Sequence, residues 1–162
     1  QLFEAEKNVL FEAMGETVQR IDHIGSTAVI GLSAKPLIAI LVEVSDLTGL
    51  DERNSLLEAL GYSCKGENGI ERRRYFQKSR QSSKDILRTH HVHAFQTGDP
   101  NLLRHLAFRD YLLAHPVISQ EYDAIKRRAA RECQNDNVLY MSLKNEFVQY
   151  HEQKAMAWCQ PA

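Results

Sequence analysis

The pattern of apolar and polar residues predicts that the N-terminal half of the chain alternates between helices and strands. Apolar residues at positions 2, 3, 9, 10 and 11, separated by charged residues, follow helical spacing up to Gly15. Residues 18–24 alternate as in a short strand, whereas residues 37–44 are almost continuously apolar. A continuous apolar strand is typical of the middle of a sheet, where both faces are buried. We therefore expect residues 37–44 to form the central strand.

The remaining pattern predicts further strands and then a run of helices. Residues 51–60 have helical spacing and are followed by Gly61, and three strands are expected over residues 62–65, 71–78 and 87–96. Beyond residue 101 three helices follow: one up to Pro116, one over residues 118–125 and one over residues 138–158, with Asp136 as its N-cap. The predicted fold class is α/β (α+β), with a short mixed sheet, flanking helices and a helical C-terminal half.

Length, charge and cysteine usage exclude several classes of protein. The 162 residues fit one domain, predicted over residues 1–162. With 20 Lys and Arg against 21 Asp and Glu, no global field draws the chain to nucleic acid or to an anionic membrane, and no apolar run is long enough to span a bilayer. Three widely separated cysteines, without a C-x-x-C pair, argue against a disulfide framework or a thiolate zinc site and favour the cytoplasm.

Gly25 and Ser26 form a predicted turn ahead of a short helix. Backbone N–H groups point outward at a helix N-terminus, and the partial positive charge of the helix dipole favours an anion there. Lys35 can add a point charge to the same pocket. These residues suit a phosphate group, and the alternative interpretation is a capped turn with a solvated lysine.

Two strands carry candidate acid, base or metal-ligand residues. The side-chain period of two places Ala39, Leu41 and Glu43 on one face of the apolar strand, so Glu43 is the acid on that face. His91 and His93 also share a strand face, where two imidazoles can bind a metal, contact phosphate or transfer a proton. The alternatives are an exposed strand-end residue for Glu43 and structural hydrogen bonding for the two histidines.

Arginine side chains supply the other candidate anion ligands. Residues 72–74 are consecutive arginines on a predicted strand, so Arg73 faces away from its two neighbours. A guanidinium group binds phosphate in a bidentate geometry, and a solvated charged face is the alternative. Arg109 lies on a predicted helix, where it either forms an internal ion pair or reaches the ligand cleft.

Residues 23–36, with the sequence HIGSTAVIGLSAKP, resemble the signature of the GrpB-like family. Further blocks at residues 73–78, 91–93 and 108–126 resemble that family in the same order, so the resemblance covers nearly the whole chain. The family is placed in the nucleotidyltransferase superfamily, and similar domains are fused to some dephospho-CoA kinases. The resemblance therefore implies a nucleotidyltransferase-like fold and a nucleotide or another phosphorylated small molecule as the ligand.

The resemblance favours Arg73 and Arg74 among the arginines and also favours a functional role for His91 and His93. The catalytic candidates are Glu43, His91 and His93, with Glu43 also the candidate metal ligand. The ligand-binding candidates are Gly25, Ser26, Thr27, Lys35, Arg73, Arg74 and Arg109.

Position 39 departs from the family pattern. Many members carry an aspartate there, and the resemblance implies that such a strand carboxylate holds Mg²⁺ against the phosphates of the nucleotide. The methyl group of Ala39 cannot ligate a metal, so weak or absent nucleotidyl transfer is expected. Ile30 in place of a proline is a milder change.

Three hypotheses about function follow. The first is a nucleotide-binding protein with Mg²⁺-dependent nucleotidyl transfer, impaired here by Ala39. The second is a non-catalytic ligand-binding or interaction module, whose ligand affinity does not change when Mg²⁺ is chelated. The third is a metal hydrolase built on His91 and His93, which requires a stoichiometric transition metal in the purified protein. The sequence leaves the ligand, the acceptor and the oligomeric state open.

Overall fold

The computed structural model describes residues 2–25, 37–81, 83, 86–132 and 137–159. These residues contain a five-stranded mixed sheet with the strand order β1-β2-β5-β4-β3. The strands are β1 (Val18–Ile24), β2 (Ile38–Val44), β3 (Tyr62–Cys64), β4 (Arg74–Gln81) and β5 (Ile86–Gln96). The pair β2–β5 is parallel, while β1–β2, β3–β4 and β4–β5 are antiparallel. The predicted mixed α/β fold class is therefore confirmed.

Three α-helices lie before or between the strands, and their apolar residues pack against the sheet to form its core. They are α1 (Leu2–Met14), α2 (Leu47–Asp51) and α3 (Asn54–Ala59). Leu10 of α1 and Leu50 of α2 are fully buried in one cluster with Ile40 and Val92 of the sheet. Because the residues at positions 40 and 42 of β2 point to the same face, α1, α2 and α3 cover that face, which we call the helix face.

Two strand predictions need correction. Interior strand β2 has β1 and β5 as neighbours, but the central strand of the sheet is β5, which runs for 11 residues. The sequence predicts a strand over residues 71–78, but β4 begins at Arg74 because Arg72 has a φ of 64°. A left-handed backbone at Arg72 is incompatible with an extended strand.

The predicted start of the helix over residues 51–60 is also wrong. The chain forms two short helices instead, because the Asp46 carboxylate accepts hydrogen bonds from the N–H groups of Thr48 and Gly49 and so begins α2 ahead of the predicted position. The predicted stop at Gly61 is confirmed, with α3 ending at Ala59 and Gly61 at a φ of 100°.

The described residues gather into two compact units, one reaching Leu102 and the other continuing from Leu103. The helices of the C-terminal part are α4 (Pro100–Ala114), α5 (Pro116–Glu132) and α6 (Asn137–Cys159). In the second unit Leu112 and Tyr122 form a small core with Phe147. These helices confirm the predicted helical C-terminal half, whereas the proposed N-cap Asp136 lies outside the described residues. A single domain over residues 1–162 stays a prediction.

The helices within the described ranges are too short or too polar to cross a membrane. None of them combines the length with the apolar character that a bilayer span requires.

Candidate functional site

The face of the sheet opposite the helix face carries the candidate histidines. Strand pairing sets Ala39 opposite His91 and Leu41 opposite His93 across β2 and β5. On the other side of β5, Tyr75 of β4 lies opposite His93. Directly paired residues share a face, so these five side chains lie together on what we call the histidine face.

Arg73 lies beside this group, one residue before β4, and is only 7% exposed. Its Nε atom donates to the carbonyl oxygen of Glu67 at 3.1 Å and its Nη2 atom to that of Asn68 at 2.8 Å. Its guanidinium carbon lies 4.7 Å from the centre of the Tyr75 ring. The loop that precedes β4 therefore holds a buried cation at the edge of the histidine face.

The aromatic rings of the histidine face contact one another. The Tyr75 ring lies 5.5 Å from the His91 ring and 5.2 Å from the His93 ring, measured between centroids. Arg73 Nη1 lies 3.2 Å from His93 Nδ1. The structure thus brings together three of the predicted site residues, Arg73, His91 and His93, through a tyrosine that was not predicted.

His91 is a buried imidazole that lies near two positively charged arginines. Burial lowers the pKa of its imidazole to about 4, and the positive charges of Arg88 and Arg73 add to this effect. Its Nε2 atom is buried and has no hydrogen-bond partner among the described residues. A buried polar atom without a partner costs free energy. An anion bound near His91 would relieve both the positive field and the missing hydrogen bond.

The lowered pKa of His91 predicts a pH-dependent stability. The unfolded chain takes up a proton near pH 6.5, while folded His91 does so near pH 4. The free energy of unfolding should therefore decrease as the pH falls from about 6.5 to about 4, by about 2 kcal/mol after allowance for solvent screening.

Urea denaturation of the wild type and of His91→Gln over this pH range measures the effect. We expect the variant to lose about 2 kcal/mol less than the wild type, because glutamine does not titrate. Equal pH slopes for the two proteins would contradict the assignment to His91.

Gly25 lies directly against β2. Its φ of 77° is in the left-handed region that glycine tolerates best, and a Cβ atom added to it would lie 3.1 Å from the Cβ atom of Ala39. Ala39 is in turn paired with His91. The glycine of the predicted phosphate turn therefore lies at the same end of the histidine face as His91, while Ser26, Thr27 and Lys35 lie outside the described residues.

Glu43 shares the histidine face with Ala39 and Leu41, and it lies two residues along β2 from Leu41, the partner of His93. It pairs in register with Phe95, four residues along β2 from Ala39, which corresponds to about 13 Å of strand. The hydroxyl of Thr97 donates to Glu43 Oε2 at 2.9 Å. The structure does not bring Glu43 together with His91.

Arg74 and Arg109 are both engaged in ion pairs with aspartates. Arg74 Nε donates to Asp51 Oδ1 of α2 at 2.7 Å, and this hydrogen bond, together with the carboxylate charge, raises the pKa of the guanidinium. Because Arg74 pairs across β4–β5 with Ala94 of the core cluster, it belongs to the helix face. Arg109 Nε donates to Asp110 Oδ1 at 2.9 Å in the second unit.

Sequence reasoning missed Tyr75, Gln77 and Asp22 on the histidine face. Gln77 pairs with His91 and donates to the Tyr75 hydroxyl at 3.3 Å, and Asp22 pairs in register with Leu41. If β4 is assumed to pair with β5 so that Tyr75 lies opposite His93, the alternation of side chains along β4 places Tyr75 and Gln77 on the histidine face. Asp22 required the register of β1 on β2, which no local pattern encodes.

The described side chains around position 39 do not form a site for a metal ion. Within the described ranges, no group of three His, Cys, Asp or Glu side chains is arranged to hold one. Asp22, a carboxylate on the histidine face, binds the guanidinium of Arg20 at 2.6 Å. The described residues do not fit Mg²⁺, and Mg²⁺ as a cofactor stays a prediction.

Comparison with known proteins identifies relatives over most of the chain. The "UPF0157 protein YqkA" of Bacillus subtilis is 40% identical over 158 residues, which are 98% of this chain and 45% of that protein. The crystal structure of the conserved protein GrpB from Enterococcus faecalis matches with a TM-score of 0.88 and 36% identity, covering 96% of this chain and 91% of that one. The chain thus spans less than half the length of YqkA but nearly all of the solved structure.

A dephospho-CoA kinase of Mycolicibacterium paratuberculosis is 29% identical over 171 residues, which cover 93% of this chain and 42% of that protein. This match confirms that some dephospho-CoA kinases carry a related domain. The family described as "GrpB protein" matches residues 1–154. The chain therefore belongs to the GrpB family.

Proposed function

We propose that the protein binds a phosphorylated small molecule of the nucleotide class at the histidine face, between Gly25 and Arg73. The observation that supports this most strongly is the buried Nε2 atom of His91, which lacks a partner among the described residues and lies in the positive field of Arg73 and Arg88. A phosphate oxygen offers the negative charge and the hydrogen-bond capacity that this position lacks.

Two further features support a phosphate ligand. Gly25 brings the backbone close to β2 without a side chain in the way, as phosphate-binding turns require. The domain shared with dephospho-CoA kinase points to the same class of ligand, since that enzyme's name refers to a nucleotide-containing coenzyme.

A more specific proposal is that the protein also transfers a nucleotidyl group from the bound ligand. Ala39 supplies no carboxylate beside His91, so binding without efficient Mg²⁺-dependent transfer fits this chain better than full catalysis. Because Ala39 cannot ligate a metal, it also favours the hypothesis of a non-catalytic binding module. A cytoplasmic location remains part of the proposal.

A thermal-shift and calorimetric screen with nucleotides and coenzyme A precursors, with and without Mg²⁺, tests the proposal. A ligand at 100 times its dissociation constant stabilises the native state by about 2.7 kcal/mol, which is readily measured. We expect binding of a phosphorylated compound and no binding of the corresponding unphosphorylated nucleoside.

The matched variants are Arg73→Gln and Arg74→Gln. Arg73→Gln should weaken binding about tenfold or more, because it removes a buried charge beside the anion. Arg74→Gln removes the same charge from the helix face and should change the affinity by less than about twofold. Equal losses in both variants, or no binding by any phosphorylated compound, would contradict the proposed site.

A further inference from the structure

In the contact between Arg73 and His93, the chemistry of the two side chains decides which is the hydrogen-bond donor and which is the acceptor. The nitrogens of a guanidinium group carry hydrogens and do not accept hydrogen bonds. His93 Nδ1, which lies 3.2 Å from Arg73 Nη1, is therefore the acceptor. In a neutral imidazole one nitrogen accepts and the other carries the hydrogen, so this contact places the hydrogen of His93 on Nε2.

Arg73 can hold His93 in this tautomer because the orientation of its own guanidinium group is fixed. Two backbone carbonyl oxygens, of Glu67 and Asn68, accept from its other nitrogens. The guanidinium carbon lies over the Tyr75 ring, and the Arg73 side chain is almost entirely buried. Turning the guanidinium away from His93 would break hydrogen bonds to the loop as well as the contact with the ring.

We propose that Arg73 is a positioning residue that holds His93 in the tautomer protonated on Nε2, so that a ligand competing for this nitrogen meets an N–H donor and not a lone pair. A group that recognises this donor must accept hydrogen bonds, as a deprotonated phosphate ester does. The choice of ligand class rests on the proposed function, whereas the tautomer rests only on the contact between the two side chains.

Long-range proton–nitrogen NMR spectra of the full chain, labelled with ¹⁵N in its histidines, measure the tautomer near neutral pH. We expect His93 of the wild type to be protonated on Nε2 and unprotonated on Nδ1. In Arg73→Met the donor is lost, and His93 should populate both tautomers. Arg74→Met is the matched control, because Arg74 pairs with Asp51 on the helix face, and its His93 spectrum should equal that of the wild type.

A wild-type His93 protonated on Nδ1 would overturn the inference, and so would an Arg73→Met spectrum with the wild-type tautomer. If Arg73→Met does not fold, the wild-type spectrum alone decides the tautomer. This outcome is independent of any ligand.

Inorganic phosphate serves as the probe for the second part of the inference. We expect its titration to shift the His93 Nε2 signal in the wild type, and Arg73→Met to bind it about tenfold more weakly. An Nε2-protonated His93 that does not respond to phosphate or to phosphate esters would leave the positioning role standing and remove the proposed function. Phosphate binding to a protein whose His93 is protonated on Nδ1 would support the proposed function and remove the positioning role of Arg73.

Discussion

Replacing Glu6 by alanine is expected to lower the free energy of unfolding by about 3 kcal/mol. Glu6 is 8% exposed on α1, where it accepts a hydrogen bond from the Tyr62 hydroxyl and one of 2.9 Å from Lys78 Nζ. Burial by itself would raise the pKa of Glu6, but the hydrogen bonds from Tyr62 and Lys78 outweigh it and the pKa is lowered. Glu6 is thus charged in the native state and ties α1 to β3 and β4.

The loss arises because the alanine variant leaves the Lys78 ammonium and the Tyr62 hydroxyl without their acceptor. Removing one partner of a buried ion pair costs more than the pair itself contributes, about 3–5 kcal/mol when burial is complete. Lys78 keeps 24% of its side-chain surface exposed, which places the expected value at the lower end.

Urea denaturation measures this effect, with Glu4→Ala as the control. Glu4 is an exposed glutamate on the same helix, and its replacement should change the free energy of unfolding by less than about 0.5 kcal/mol. Adding Lys78→Met to Glu6→Ala should restore part of the loss, since it removes the unpaired charge. A Glu6→Ala variant as stable as Glu4→Ala would show that the network does not stabilise the fold.

Introducing an aspartate in place of Ala39 is expected to raise the pKa of His91 by about two units or more from its value of about 4. The two positions are directly paired on neighbouring parallel strands, whose backbones lie about 4.8 Å apart. A carboxylate there would accept from the imidazole and favour its charged form. It would also give the buried Nε2 atom the partner that it lacks among the described residues.

NMR titration of the histidine signals measures this change, and Ala39→Asn is the control. Asparagine has nearly the shape of aspartate but no charge, so the pKa of His91 should stay within about one unit of its present value in that variant. An unchanged pKa in Ala39→Asp would contradict the spatial pairing of the two residues.

The same Ala39→Asp variant tests the metal hypothesis. If the resemblance to nucleotidyltransferases extends to their metal site, restoring the strand carboxylate should add Mg²⁺-dependent nucleotide binding or transfer. No gain in either would count against Mg²⁺ as the cofactor. This measurement does not depend on the pKa of His91.

The strands are predictable from the sequence because their patterns are local. The alternation at residues 18–24 predicts β1, and the apolar run at residues 37–44 marks β2 to within one residue. The period of two also places His91 and His93 on a common face. Residue alternation along a strand follows from backbone geometry, so it needs no knowledge of neighbouring strands.

The arginine cluster shows where local reasoning ends. A regular strand through residues 71–78 treats Arg73 and Arg74 as equivalent candidates on opposite faces. In the fold, the positive φ of Arg72 delays the strand, Arg74 pairs with Asp51, and Arg73 is buried beside His93. The identity of Asp51 as a partner depends on how α2 packs against the sheet, which the arginines themselves do not encode.

The sequence by itself determined the order of helices and strands, the family and the pair of histidines, because each depends on residues that are close along the chain. Only the tertiary structure decided that β5 is the central strand, that Glu43 pairs with Phe95 and lies nearer to His93 than to His91, and that Ala39 faces His91. These outcomes depend on strand order and register. Both are set by the summed burial of apolar side chains from distant segments, and no single segment contains that information.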